Sequence, residues 1–300
     1  MRSKILISIL IMLLLIAAMA AWLVFGYGKQ KTEEKNAAKN VAKIMGKGGN
    51  ELVDATDISE GLDLLLAEHV FSHRGVGGSY EHSFKAYDEA IEAGSNYIEQ
   101  DLVISSDGVL FVSHDLNAAF MTGRNVNYSS MSADEIDKLQ TKAGSKVLRL
   151  SEVFDKFGKD INYVIELKSA DAAMREAFEQ IVDEYDYRDN IIVQSYYTEA
   201  LGELEDKYPD MRKLAICKSQ GDVESCLEKD YVDIISVRYN SGLMTKSNCE
   251  AVHDKGKQFS TWTINSESAI REAIEMGVDN YFTDDTALAI SLEKQYRTES

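Results

Sequence analysis

Apolar and polar positions follow two alternating rhythms along most of this chain. Nine short apolar runs, at residues 70–73, 96–103, 109–114, 162–167, 190–195, 213–218, 232–237, 258–264 and 280–284, read as β-strands. Stretches with helical periodicity separate them, at 83–93, 171–185, 198–207, 246–255 and 266–276. Shorter ones at 132–140 and 151–157 each open on Ser and carry an acid in the first turn. This alternation predicts βα units around a parallel sheet. The third run breaks the pattern, because only Ile104-Ser105-Ser106-Asp107-Gly108 precedes it. A parallel crossover needs about a dozen residues or more, whereas Asp-Gly is a hairpin signal. The third run therefore folds back on the second strand, bringing His114 beside Glu99 and Asp101. The remaining eight predict an α/β fold, a (β/α)8 TIM barrel with a small β-hairpin insertion. Residues 116–150 are the loosest part and, following a strand, are expected to shape the pocket.

The N-terminus has a third pattern. Residues 5–27 carry no charge, with Arg2 and Lys4 before them and Lys29 and Lys31 after. At about 1.5 Å per residue this stretch spans a hydrocarbon core of about 30 Å. Ala18-Met19-Ala20 offers a signal-peptidase site, but the apolar run continues through Phe25. A typical signal-peptide core is shorter, about 7–15 residues. The expectation is an uncleaved single transmembrane helix within residues 1–28, with its short basic tail inside and the rest of the chain outside the cell membrane. Residues 29–57 read as a polar stalk, and 58–68 as an amphipathic helix opening a folded domain at 58–300.

Charge changes the picture more than composition does. Hydrophobic content of 45% is ordinary, but the net charge is −18, which argues against nucleic acid as a partner. Cys217, Cys226 and Cys249 match no zinc spacing and read as free thiols, with a Cys217–Cys226 disulfide as the alternative. The densest chemistry lies between Phe71 and Asp115. Strand alternation puts Glu99 and Asp101 on one face and Ile98, Gln100 and Leu102 on the other. Two acids on one face of a buried strand are costly unless a cation or donors meet them, which is the layout of a hard-metal site with imidazoles nearby.

The ordered motifs in this region resemble one family. His73-Arg74-Gly75, Glu99-x-Asp101, Asp107-Gly108 and His114-Asp115 come first. They continue in Glu166-x-Lys168, Gln194-Ser195-Tyr196, Trp262-Thr263-Ile264-Asn265 and Phe282-Thr283-Asp284. Together they resemble the glycerophosphodiester phosphodiesterases over residues 68–290, roughly the whole folded domain. The resemblance implies the same barrel and hydrolysis of glycerophosphodiesters to sn-glycerol 3-phosphate and an alcohol. It implies His73 and His114 as the catalytic pair, Glu99, Asp101 and Glu166 as metal ligands, and Arg74 and Lys168 as phosphate contacts.

Each implied role suits its side chain. Carboxylates without thiolates suit Ca²⁺ or Mg²⁺ better than Zn²⁺. Arg74 offers a fork and Lys168 a point charge to a phosphate, against an adverse global field. Two imidazoles allow one to take a proton and the other to give one, and either His can play either part. His69, His82 and His253 read as structural or exposed. Tyr196 and Trp262 are expected at the pocket, where Trp262 could pack on an alcohol moiety. The chain departs from the family where Tyr80-Glu81-His82-Ser83 replaces the usual Pro-Glu-Asn-Thr, and where Tyr196 replaces Phe. The expected substrate is a small glycerophosphodiester or, for an anchored enzyme, a glycerol-phosphate polymer. A phospholipid or lysophospholipid headgroup is the runner-up, and a non-catalytic module binding phosphodiester polymer the third reading.

Overall fold

Nine strands form one sheet in the computed structural model, which describes residues 68–78 and 80–298. The expected transmembrane helix, the stalk and all but the last residue of the 58–68 helix lie outside the described residues. Among the described residues no helix is long and apolar enough to cross a membrane. The strands are β1 (Val70–Ser72), β2 (Tyr97–Ile104), β3 (Leu110–Val112), β4 (Asn162–Leu167), β5 (Ile191–Ser195), β6 (Arg212–Cys217), β7 (Ile234–Arg238), β8 (Gln258–Trp262) and β9 (Asn280–Thr283). Their order is β1-β9-β8-β7-β6-β5-β4-β2-β3, and a further β1–β2 pairing closes eight parallel strands into a barrel. Between and around them lie α1 (Phe84–Glu92), α2 (Ala119–Thr122), α3 (Ala133–Ile136), α4 (Leu150–Phe157) and α5 (Ala172–Tyr185). They are followed by α6 (Thr198–Glu203), α7 (Gln220–Leu227), α8 (Lys246–Asp254), α9 (Glu267–Met276) and α10 (Thr286–Thr298).

The period of two sorts each strand into an inner and an outer face. Phe71, Tyr97, Val164, Ile192, Leu214, Ile234 and Phe282 meet in one cluster that fills the barrel interior. The alternate residues, among them Val70, Ile98, Ile165, Val193, Ala215, Ile235 and Tyr281, join the larger core under the helices. Helix α1 shows how local sequence sets this packing. Ser83 caps it by accepting from the Ala86 amide at 3.2 Å, and Ala86, Tyr87 and Ala90 bury one face.

The third strand is antiparallel, as the Asp-Gly turn predicts. Leu102 pairs with Val112, Val103 with Phe111 and Ile104 with Leu110. Gly108 adopts φ +86°, a conformation costly for any side chain with a Cβ. The hairpin also carries a second role. Asp107 accepts from the Ser105 hydroxyl at 2.6 Å and from the Ala133 amide at 2.8 Å, tying the turn to the start of α3.

Residues 116–150 correct the expectation of a loose segment. Ala118, Met121, Tyr128, Met131, Ile136, Leu139 and Val147 pack with Val103 and Phe111 into a core of their own. Short bridges Asn117–Asn127 and Gln140–Lys146 close it. Its apolar residues follow neither strand nor helix period, because they converge on one side of the hairpin from irregular chain.

Candidate active site

The strands bring their polar ends to one mouth. A cleft opens there, lined by His73, Arg74, Glu99, Asp101, His114, Glu166, Lys168, Gln194, Tyr196, Ile216, Trp262 and Phe282. All nine residues singled out from the sequence are among them. His73 and Arg74 follow β1, Glu99 and Asp101 face inward from β2, and Asp101 pairs in register with Glu166 of β4. His114 comes from the hairpin, whose Ser113 amide donates to the Asp101 carbonyl at 2.9 Å.

Three buried carboxylates face two cations. Lys168 Nζ donates to Glu166 Oε2 and Asp101 Oδ1, both at 2.8 Å. Arg74 is left-handed at φ +57°, which aims its backbone N–H at Glu99 Oε2, 2.9 Å away. Its guanidinium donates to Glu81 at 2.9 Å and lies 3.4 Å from Asp101. Gln194 donates to Glu99 Oε1 at 3.1 Å.

Burial and neighbours split the three acids. Burial, reinforced by Asp101, holds Glu99 well above the usual carboxylate range. The same two causes push Glu166 up to about 8. Burial also acts against ionised Asp101, but Lys168 and the His82 hydrogen bond overcome it and hold the carboxyl well below its ordinary value. The donor set fits a divalent cation: it is all oxygen, its acids outnumber the facing cations, and buried Glu166 Oε1 receives no hydrogen bond.

The two predicted imidazoles are held differently. His73 Nδ1 lies 2.7 Å from Asp284 Oδ1, so Nδ1–H donates and Nε2 is free to face the cavity. Asn265 holds Asp284 in turn, donating at 2.6 Å from its side chain and accepting from the Asp284 amide at 2.8 Å. Gly77 leaves room for this arrangement, since a Cβ there would collide with the Asp284 carboxylate. His114 is half-exposed, with Asp115 at 3.3 Å. Burial first, and then the positive charge of Lys168, lower its basicity.

Sequence reasoning passed over two contacts. Asp284 stood in a motif without an assigned role. His82 is not exposed at all: it is fully buried, with Nε2 at 2.9 Å from Asp101 Oδ2 and Nδ1 at 3.0 Å from the Tyr87 hydroxyl. Burial lowers its basicity and favours the neutral ring. Ionised Asp101 can only accept, so Nε2–H donates to it and Nδ1 accepts from Tyr87. Ligand atoms of His82, Glu99 and Asp101 lie within 4.8 Å of one another, but with both ring nitrogens taken His82 positions Asp101 and offers no ligand of its own. The departure of His82 from the family pattern was the available signal.

Chemistry narrows this geometry to one class. Oxygen donors select a hard cation, paired imidazoles serve proton transfer in both directions, and an arginine and a lysine beside them suit a phosphoryl group. That class is a metal-assisted phosphodiesterase on a parallel barrel. Comparison with known proteins gives the particular family. The model of the glycerophosphoryl diester phosphodiesterase family matches residues 73–288. A glycerophosphodiester phosphodiesterase of Bacillus subtilis is 25% identical over 263 residues, covering 78% of this chain and 90% of its own. The crystal structure of a Thermotoga maritima glycerophosphodiester phosphodiesterase is 26% identical with a TM-score of 0.63, over 75% of this chain and 97% of that one. An Oleispira antarctica phosphodiesterase, solved with its product sn-glycerol 3-phosphate, shares the fold at TM-score 0.69 and 18% identity, over 75% and 96%. The chain belongs to the glycerophosphoryl diester phosphodiesterase family, and its activity is the hydrolysis of glycerophosphodiesters.

Proposed function

We propose that His73 and His114 carry the proton transfers of this hydrolysis, and that Glu99, Asp101 and Glu166 hold one Ca²⁺ or Mg²⁺. The observation that carries the proposal is the single cavity in which both imidazoles face the three buried carboxylates. The bound cation would neutralise the acids and polarise a phosphoryl oxygen. Lys168 and Arg74 balance charge on the remaining phosphate oxygens. His114, whose basicity burial lowers, takes the proton from the attacking water. His73, anchored on Asp284, returns one to the leaving oxygen as the P–O bond breaks. Tyr196 and Trp262, packed edge to face at 6.3 Å, hold the alcohol moiety. The products are sn-glycerol 3-phosphate and an alcohol. The uncharged stretch at residues 5–27 supports a membrane anchor with the barrel outside the cell, and a glycerol-phosphate polymer as a substrate there. Membrane fractionation, with protease treatment of intact cells, tests that topology.

One observation favours a second substrate class. Leu116 and Phe120 of the 116–150 segment are 55% and 62% exposed, next to the hairpin that carries His114. Such side chains suit contact with a lipid surface, as a lysophospholipid substrate needs. The test is release of sn-glycerol 3-phosphate from glycerophosphocholine and glycerophosphoglycerol, and of headgroup from lysophosphatidylcholine micelles. Each is run with Ca²⁺, Mg²⁺ or EDTA. Release from the soluble diesters that EDTA abolishes supports the main reading. Release from micelles alone supports the second.

A further inference from the structure

Opposite the carboxylates the cavity is lined by Tyr196 after β5, Ile216 of β6 and Trp262 of β8, with β7 between the last two strands. Strand alternation carries Leu214 and Ile216 on the inner face of β6, so Lys218, two residues on, stands above Ile216 on that face. On β7 the same phase runs Ile234, Ser236, Arg238, and Arg238 pairs in register with Trp262 of β8. Both cations contact the aromatic lining. Lys218 Nζ sits 3.8 Å over the Tyr196 ring, and the Arg238 guanidinium 6.0 Å over Trp262. By strand order the wall runs Tyr196 after β5, Lys218 after β6, Arg238 on β7 and Trp262 on β8, so the two cations stand side by side between the two rings.

Among the described residues neither cation is held in an ion pair. Elsewhere on this acidic chain Lys156, Lys207, Arg149, Arg175 and Lys255 each pair with a carboxylate. Among the described residues neither Lys218 nor Arg238 has a carboxylate within ion-pair reach of its charged group. Asp222, the acid nearest in sequence, accepts from the Lys218 backbone N–H at 3.0 Å and feels the lysine's charge without an ion pair to its Nζ. Trp262 Nε1, a donor in the same wall, is buried without a partner. Two exposed cations thus stand over Tyr196 and Trp262, two lining residues of the cavity, on the side away from the carboxylates. An overall charge of −18 makes any anion drawn to this mouth dependent on local positive charge.

We propose that Lys218 and Arg238 form a second anion subsite, selecting phosphodiesters whose alcohol half carries a further phosphate. The inference rests on the reading that the scissile phosphate lies against Glu99, Asp101 and Glu166, with the alcohol reaching toward Tyr196 and Trp262. An alcohol bearing its own phosphate places the second charge between the lysine and the arginine, while the two rings pack on the carbon framework. A cationic alcohol such as choline meets repulsion at the same place.

The test compares two diesters that differ only by that phosphate, glycerophosphoinositol and glycerophosphoinositol 4-phosphate. Release of sn-glycerol 3-phosphate by the full chain is measured with divalent cation present. The wild type is expected to favour the phosphorylated diester about tenfold in kcat/KM at low salt, chiefly through KM. Lys218→Gln and Arg238→Gln should each reduce this ratio, and together remove it. Added salt should also shrink it, since the cations are exposed. The two single variants keep the comparison valid where the double variant unfolds. A wild-type ratio near one, or a ratio that survives both single substitutions, overturns the subsite and leaves the reaction standing. No release from either diester overturns the reaction, and the subsite with it.

Discussion

Buried between Asp101 and Lys168, Glu166 shows how single residues record the chemistry of the site. Burial and Asp101 raise it from 4.5 to about 8. The folded, metal-free chain therefore holds a proton that the unfolded chain releases between those values. Its stability on this account falls as pH rises through that window. With Glu166 in the proposed ligand role, a bound divalent cation would replace the proton and remove the dependence. Thermal unfolding in EDTA should show the decline and unfolding in excess Ca²⁺ should not; equal slopes would contradict the assignment. His82 acts through Asp101 instead. It is held by Tyr87 on one nitrogen and donates to Asp101 from the other. His82→Ala should weaken Ca²⁺ binding, read by calorimetry, about 10- to 100-fold. His82→Gln, which can still donate, should recover part of it. Unchanged affinity in the alanine variant would assign His82 to packing alone.

Elements show what the sequence made legible and where it stopped. All nine strand runs appear within a few residues of their expected bounds, because period-two alternation and the intervening helical stretches are local signals. The hairpin was legible for the same reason: five residues and an Asp-Gly turn leave no room for a crossover. Helix α6 stops at Glu203, short of the expected residue 207, and the core of residues 116–150 was invisible. Its apolar residues have no period, and only their convergence on Phe111 gives them meaning. The site was legible as a set of residues at strand ends, but not as a network. His73 meets Asp284 across 211 positions, and no periodicity encodes that contact. The loop after β1 makes this contact testable. Gly77→Ala puts a Cβ against Asp284 and should turn that carboxylate away from His73. The expected result is a fall in kcat of about tenfold or more, with Ca²⁺ affinity unchanged. A variant with wild-type kcat would show that Asp284 does not orient His73.

At the scale of the whole molecule, a parallel barrel gathers acids, imidazoles and cations from β1, β2, β4 and the β3 hairpin on a chain of net charge −18. The global field opposes an anionic substrate, while the site attracts it locally. Salt screens the first more than the second, because the Debye length shrinks from about 30 Å at 0.01 M to about 8 Å at 0.15 M. For the singly charged diester glycerophosphoglycerol, kcat/KM should rise across that range. A fall would mean that local cations, and not the overall charge, govern encounter.

The central claim is that the three buried carboxylates hold the cation on which phosphodiester cleavage depends. It is tested most directly by following sn-glycerol 3-phosphate release while the metal-stripped chain is titrated with Ca²⁺ or Mg²⁺, beside Glu99→Gln. Wild type should rise from no activity to saturation with one of these ions, and Glu99→Gln should stay inactive or need far more of it. Full activity in the stripped chain, or the same titration curve for both proteins, would contradict the account.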